Sequence, residues 1–215
     1  MKKLYSILLA AVLVLSLASC GTTASVSSTE TPVSSAADNT QTETKTEVVT
    51  VPAAKDIVVL YVNDVHCGID DNLGYQDLAT VKNAYERLGN KVLLVDNGDA
   101  IQGDTVGTLS KGEYIIDIMN ETGFDVAVPG NHEFDYGMDR FLELTKKAKF
   151  PYVSCNFTDK DGKAIFDAYK IIEVEGKKLA FVGICTPKTI TSSTPKYFMN
   201  DAGEYVYFFG QDESG

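Results

Sequence analysis

No aromatic residue occurs between Tyr5 and Tyr61, and that gap decides how much of this chain can fold. Between Gly21 and Thr50, fourteen of thirty residues are Ser or Thr. Such a stretch cannot bury enough surface to offset the entropy of ordering it, so residues 20–54 are expected to be a disordered tether. A fold must therefore be built from about 160 residues beginning near Lys55. That is ample for one hydrophobic core and little more. At 44% apolar and 23% charged residues the composition is that of a globular protein.

The tether follows a short basic start, Met1-Lys2-Lys3, and an apolar run from Ile7 to Ala18 broken only by Ser16. The run is too short for a stable membrane span, which needs roughly 18 apolar residues, and it reads as a signal peptide over residues 1–19. Its end, Leu17-Ala18-Ser19-Cys20-Gly21, resembles a bacterial lipoprotein box. The resemblance implies cleavage before Cys20, a diacylglycerol on its sulfur, and an exported protein that meets the membrane only through that anchor. A formal charge of −11, or −13 once residues 1–19 and their two Lys are gone, excludes nucleic acid as a surface-charge partner.

From Lys55 onward strand and helix patterns alternate, which predicts an α/β fold. Ile57–Val62 is an almost continuous apolar run, as expected of a strand covered on both faces. Leu78, Val81, Tyr85 and Leu88 fall at helical spacing before Gly89. Val92–Val95 is a second strand; Tyr114, Ile115, Ile118 and Met119 mark a helix ending before Gly123; Asp125–Val128 is a third strand. Phe141, Leu142, Thr145 and Ala148 mark another helix, and Pro151 to Ser154 a further strand. Tyr169–Val174 and Lys178–Ile184 flank a Glu175-Gly176 turn and predict a hairpin.

In open α/β sheets the ligand crevice lies beyond the carboxyl ends of the strands. Those ends carry Asn63-Asp64-Val65-His66, then Asp96-Asn97-Gly98-Asp99 running on to Gly103-Asp104, then Gly130-Asn131-His132-Glu133-Phe134-Asp135. The chain has two histidines, and both fall there. Asp64 and His66 are two residues apart, so on an extended strand end they would share a side and could grip one ion. Asp99 could bridge two ions, and Asn131 offers a neutral oxygen. Mixed N/O donors without thiolate suit Mn²⁺, Zn²⁺, Fe or Mg²⁺. Two such ions, bridged by a carboxylate and a hydroxide, form a clamp suited to attack on phosphorus.

These three blocks, in this order, resemble the calcineurin-like metallophosphoesterases. The wording Asn63-Asp64-x-His66 and Gly130-Asn131-His132-Glu133-Phe134-Asp135 is similar to their bacterial branch of 5′-nucleotidases, UDP-sugar hydrolases and 2′,3′-cyclic-nucleotide phosphodiesterases. The resemblance implies a metallophosphatase-type β-sandwich flanked by helices (αββα) over residues 55–215, incomplete at its C-terminus. It implies Asp64 and His66 on one metal, Asp99 bridging, Asn131 on the other, and His132 as a catalytic group paired with Asp135. Asp104 and Glu133 read instead as loop carboxylates that support backbone amides. Family members bring further metal-binding histidines from downstream, a lone His and then a Gly-His-x-His block, and this sequence has no His after position 132. The expectation is a fragment of a nucleotide-hydrolysing enzyme with little activity alone. The alternative is a non-catalytic surface lipoprotein that binds nucleotide or metal. Cys67 reads as a core or rim thiol, Cys155 and Cys185 as buried small hydrophobes, with a disulfide between the last two left open.

Overall fold

The structure, a computed structural model, describes residues 55–69 and 73–210. The signal peptide, Cys20 and the tether lie outside the described residues.

Strand β1 (Ile57–Val62) pairs in parallel with β2 (Lys91–Asp96), and β2 with β3 (Val126–Ala127), in the order β1-β2-β3. Helix α1 (Tyr75–Arg87) makes the first crossover; α2 (Thr105–Ser110) and α3 (Glu113–Thr122) make the second. The glycines expected to stop helices do so. Gly89 and Gly123 take left-handed φ values of 87° and 78°, and the amides of Gly123 and Phe124 both return to the Met119 carbonyl. Helix α4 (Met138–Lys147) follows, then β4 (Thr158–Asp159), and β5 (Tyr169–Val174) joined to β6 (Lys177–Val182). Glu175 and Gly176 both have positive φ, as a two-residue hairpin turn requires. A short α5 (Thr189–Ser192) precedes β7 (Tyr207–Phe208), which pairs antiparallel with β4.

Two expectations need correction. Residues 151–154 enter the sheet only through single bridges, Ala127 with Tyr152 and Val153 with Asp167. The segment changes partner between adjacent residues, so no ladder of two rungs forms on either side. Helix α2 was not expected at all. Its six residues, TVGTLS, carry little apolar periodicity, and the helix is set by the Asp104 side chain accepting from the Thr105 amide and by Gly107 lying against the Cys67 thiol, where a Cβ would collide with Sγ.

The parallel sheet has two apolar faces. One packs Leu60, Val62 and Leu94 against Ile115, Ile116 and Met119 of α3 and Phe141 and Leu144 of α4. The other carries Val95, Val126 and Val153 with Phe181 over part of it, while Val59 and Tyr61 of β1, in register with Leu93 and Val95, are exposed. Cys67 and Cys185 are buried as expected, but Cys155, also expected to be buried, is exposed; all three are free thiols, and burial pushes the two buried ones up to about 11. Among the described residues no helix is long and apolar enough to cross a membrane.

Phe134 ties the third loop to this core. It is fully buried, with ring centroids of Phe141 and Phe198 at 5.1 Å and of Phe157 and Phe209 at 5.6 Å. Phe134→Ala would open a cavity at the junction of five aromatic rings. We expect a loss of about 3–5 kcal/mol in unfolding free energy, read from the urea midpoint; a loss under about 1 kcal/mol would show that the loop is held by other means.

Candidate metal centre

The three loops expected to carry chemistry converge beyond the carboxyl ends of β1, β2 and β3, and hydrogen bonds join them in sequence. The amides of Asp64, His66 and Cys67 donate to the carbonyls of Gly98, Asp99 and Ala100, each at 3.0 Å. The second loop is then fastened to the third through Glu133. Its Oε2 accepts from the amides of Asp99 (2.8 Å) and Gly130 (2.6 Å), and its Oε1 from Ala100 (2.8 Å). Asp99 returns the contact, its Oδ1 accepting from the His132 amide at 2.7 Å. Glu133 is fully buried. Burial, with the charge of Asp99, holds its carboxyl above the ordinary value and the three amides offset only part of that; the role anticipated for it, support of backbone amides, is the one it has.

The backbone at the donors is left-handed. Asp64, His66, Cys67 and Asp99 have φ of 54°, 47°, 65° and 61°. Strand β1 ends at Val62, so Asp64 and His66 do not share a side through strand alternation, and that argument is corrected. Both residues line one cavity of about 490 Å³, with Asn63, Val65, Gly74 and Asp104, but Asp64 is not among the donors that converge around His66. No Lys or Arg lines it. Gly98 and Gly130 pack backbone on backbone at its base; a Cβ on Gly130 would strike the Asp99 carboxylate.

Donor atoms of His66, Asp99 and His132 lie within 4.8 Å of one another, a group able to hold a metal ion. His66 Nδ1 sits 2.9 Å from the Gln102 carbonyl oxygen, so Nδ1 carries the proton and Nε2 keeps its lone pair for a cation. Sequence reasoning missed this contact because a main-chain carbonyl leaves no residue-type signal. Asp64 stands at the exposed rim, its Oδ2 accepting from Asn63 Nδ2 at 2.6 Å. Asn131 Nδ2 points to the Ser192 carbonyl at 3.5 Å, which turns its Oδ1 the other way. Asp104, as expected, serves a backbone amide. Beneath the loops Asp96 is fully buried; burial, then the charge of Glu133, holds its carboxyl far above the carboxylate range, a neutral acid under the site. Imidazole nitrogen and carboxylate oxygens, crowded together with no side-chain cation lining the cavity, fit a divalent ion.

His132 and Asp135 pair as expected, Nδ1 to Oδ2 at 2.6 Å. Gly137, not Asp135, stands at the start of α4. Partial burial draws the imidazole down, and the hydrogen bond and charge of Asp135, with Asp99 and Glu133, more than offset it, leaving His132 above its ordinary value. The other Asp135 oxygen, Oδ1, accepts from the Ser193 hydroxyl at 3.1 Å, a partner 58 residues away that nothing in the sequence pointed to.

The sequence profile described as calcineurin-like phosphoesterase matches residues 57–208. The chain belongs to that family. Among its curated relatives, the 2′,3′-cyclic-nucleotide 2′-phosphodiesterase/3′-nucleotidase of Yersinia enterocolitica is 32% identical over 166 residues, covering 64% of this chain and 26% of its own. The 5′-nucleotidase of Vibrio cholerae is 31% identical over 150 residues, with 66% and 27% covered. The NAD nucleotidase of Haemophilus influenzae superposes with a TM-score of 0.60 at 26% identity, covering 72% of this chain and 29% of that one. The chain thus spans little more than a quarter of the length of these curated relatives.

Two outcomes follow from the geometry. Glu133→Ala strands three amides at once; the expected loss is roughly 3 kcal/mol or more in urea unfolding, with weaker Mn²⁺ binding by calorimetry because Asp99 is no longer held. Stability within about 0.5 kcal/mol of the parent would contradict it. In Asp135→Asn the charge of Asp135, part of the largest contribution that raises His132, is lost, so its ring proton signals should titrate at lower pH than in the parent. A titration unmoved or moved upward would contradict the assignment.

Proposed function

We propose that this protein is a metal-dependent phosphoric-ester hydrolase of the 5′-nucleotidase type, acting on nucleotides and displayed outside the cell by a lipid on Cys20. The observation that carries the reading is the pairing of a cation-ready group (His66, Asp99, His132) with a hydrogen-bonded His132–Asp135 dyad. A carboxylate behind the ring also orients a metal-binding histidine, so what favours hydrolysis is this dyad taken together with the phosphoesterase family to which the chain belongs. The names of the Yersinia, Vibrio and Haemophilus relatives favour a nucleotide. They span phosphomonoesters, cyclic diesters and NAD, so the substrate within that class is chosen by assay.

His66 and Asp99, with Asp64 and Asn131, would hold two divalent ions. When bound, these supply Lewis acidity toward phosphoryl oxygen and a water of lowered pKa. The chain's own residues do the rest. His66 presents Nε2 because Gln102 occupies Nδ1. Asp99 is held against the third loop by the His132 amide. His132, with Asp135 on Nδ1, keeps a proton on Nε2 to higher pH than a free histidine, and from there it can stabilise charge on the phosphate or protonate the departing oxygen. The negative net charge does not repel such a substrate once cations dominate the local field. Four side chains are too few to complete two coordination spheres, so turnover by these residues alone is slow and ion binding weak.

The test measures phosphate release from AMP, UDP-glucose and 2′,3′-cyclic AMP with Mn²⁺, together with Mn²⁺ broadening of the His66 ring signals. Release should stop with a chelator, fall at least tenfold in Asp99→Ala and His132→Asn, and the broadening should vanish in Asp99→Ala. Release indifferent to chelation, or Mn²⁺ that leaves His66 unbroadened, would refute the proposal.

A further inference from the structure

Asp135 has two carboxylate oxygens and a partner on each. Oδ2 holds His132 Nδ1, and Oδ1 accepts from the Ser193 hydroxyl. Rotation about the Cβ–Cγ bond of an aspartate is soft, so a carboxylate bonded on one side only leaves its partner free to swing. The second bond removes that freedom. Ser193 comes directly after α5, an element well fixed in the fold: Thr189 and Ile190 are buried, and the Ser193 amide donates to the Thr189 carbonyl at 2.9 Å. The preceding residue, Ser192, presents its carbonyl to the Asn131 amide group. Two adjacent residues of one segment therefore meet both ends of the 131–135 loop, one through the Asn131 side-chain amide and one through the carboxylate behind His132.

We propose that Ser193 is a positioning residue of this site: its hydroxyl fixes Asp135, Asp135 fixes the Nδ1–H form of the His132 ring, and Nε2 is thereby kept for the chemistry. The role deepens the hydrolase reading and rests on it, while the arrangement itself can be tested without turnover. Ser193 touches no reacting atom and acts only through Asp135.

The experiment uses the chain labelled with ¹⁵N and reads long-range ¹H–¹⁵N spectra of the imidazoles in buffer alkaline enough that both rings are neutral. Two histidines make assignment direct, with His66→Asn identifying the pair. In the parent, His132 should show the Nδ1–H pattern with its proton protected from exchange. In Ser193→Ala the protected proton should be lost and the nitrogen shifts should move toward a tautomer mixture, whereas Ser193→Thr, which retains the hydroxyl, should keep the parent pattern. His66, held by the Gln102 carbonyl, is the internal control for folding and should keep its Nδ1–H pattern in both, its ring lying 4.9 Å from that of His132. An unchanged His132 in Ser193→Ala, equal changes at both histidines, or a Thr variant that behaves like Ala would each overturn the proposal. Failure of phosphate release with this histidine pattern intact would refute the hydrolase reading alone.

Discussion

One buried carboxylate makes the site a single object. Glu133 gathers the amides of Asp99, Ala100 and Gly130, so the loop after β2 and the loop after β3 cannot move independently. The loop after β1 is bound to the second by three main-chain bonds, and Phe134, the residue after Glu133, runs into the aromatic core. A buried negative charge is costly unless hydrogen bonds solvate it. Here three amides do so, and the result is a platform whose stiffness comes from backbone.

The electrostatics follow from the same crowding. Burial, then the charges of Glu133, Asp99 and Asp64, raises Asp96, burial and the charge of Asp99 raise Glu133, and no cationic side chain lines the cavity to balance them. Asp96, the most deeply buried with Glu133 beside it, yields by staying neutral. Asp64 and Asp99 reach the surface, where a cation can relieve them. His132 feels the same field with the opposite sign and holds its proton more firmly.

Much of this was legible in the sequence, because burial on both faces of a parallel sheet leaves runs such as Ile57–Val62 and Val92–Val95 that few other structures need. The donor blocks were legible too, since Asp, Asn, His and Gly concentrate where strands end. What escaped depended on main-chain geometry or on distant partners. The left-handed turn at Asp64–Cys67 replaced the expected strand alternation; side-chain spacing does not report φ. Helix α2 is six residues built on a cap and a thiol contact, too short for a period to show. Gln102 acts through its carbonyl and Ser193 through a fold that brings it across 58 residues, so neither residue type stood out.

The left-handed residues carry a further consequence. An L-residue in that region gives up roughly 1–2 kcal/mol that glycine would not, and the site holds four such residues, Asp64, His66, Cys67 and Asp99. Glycine substitutions at the donors would relax the backbone while deleting the groups that grip a cation. Directed evolution of this domain for thermal stability alone would therefore drift toward a better-folded and inert protein. Any such campaign needs a metal-binding or turnover screen beside it, because at these positions folding and function pull the sequence in opposite directions.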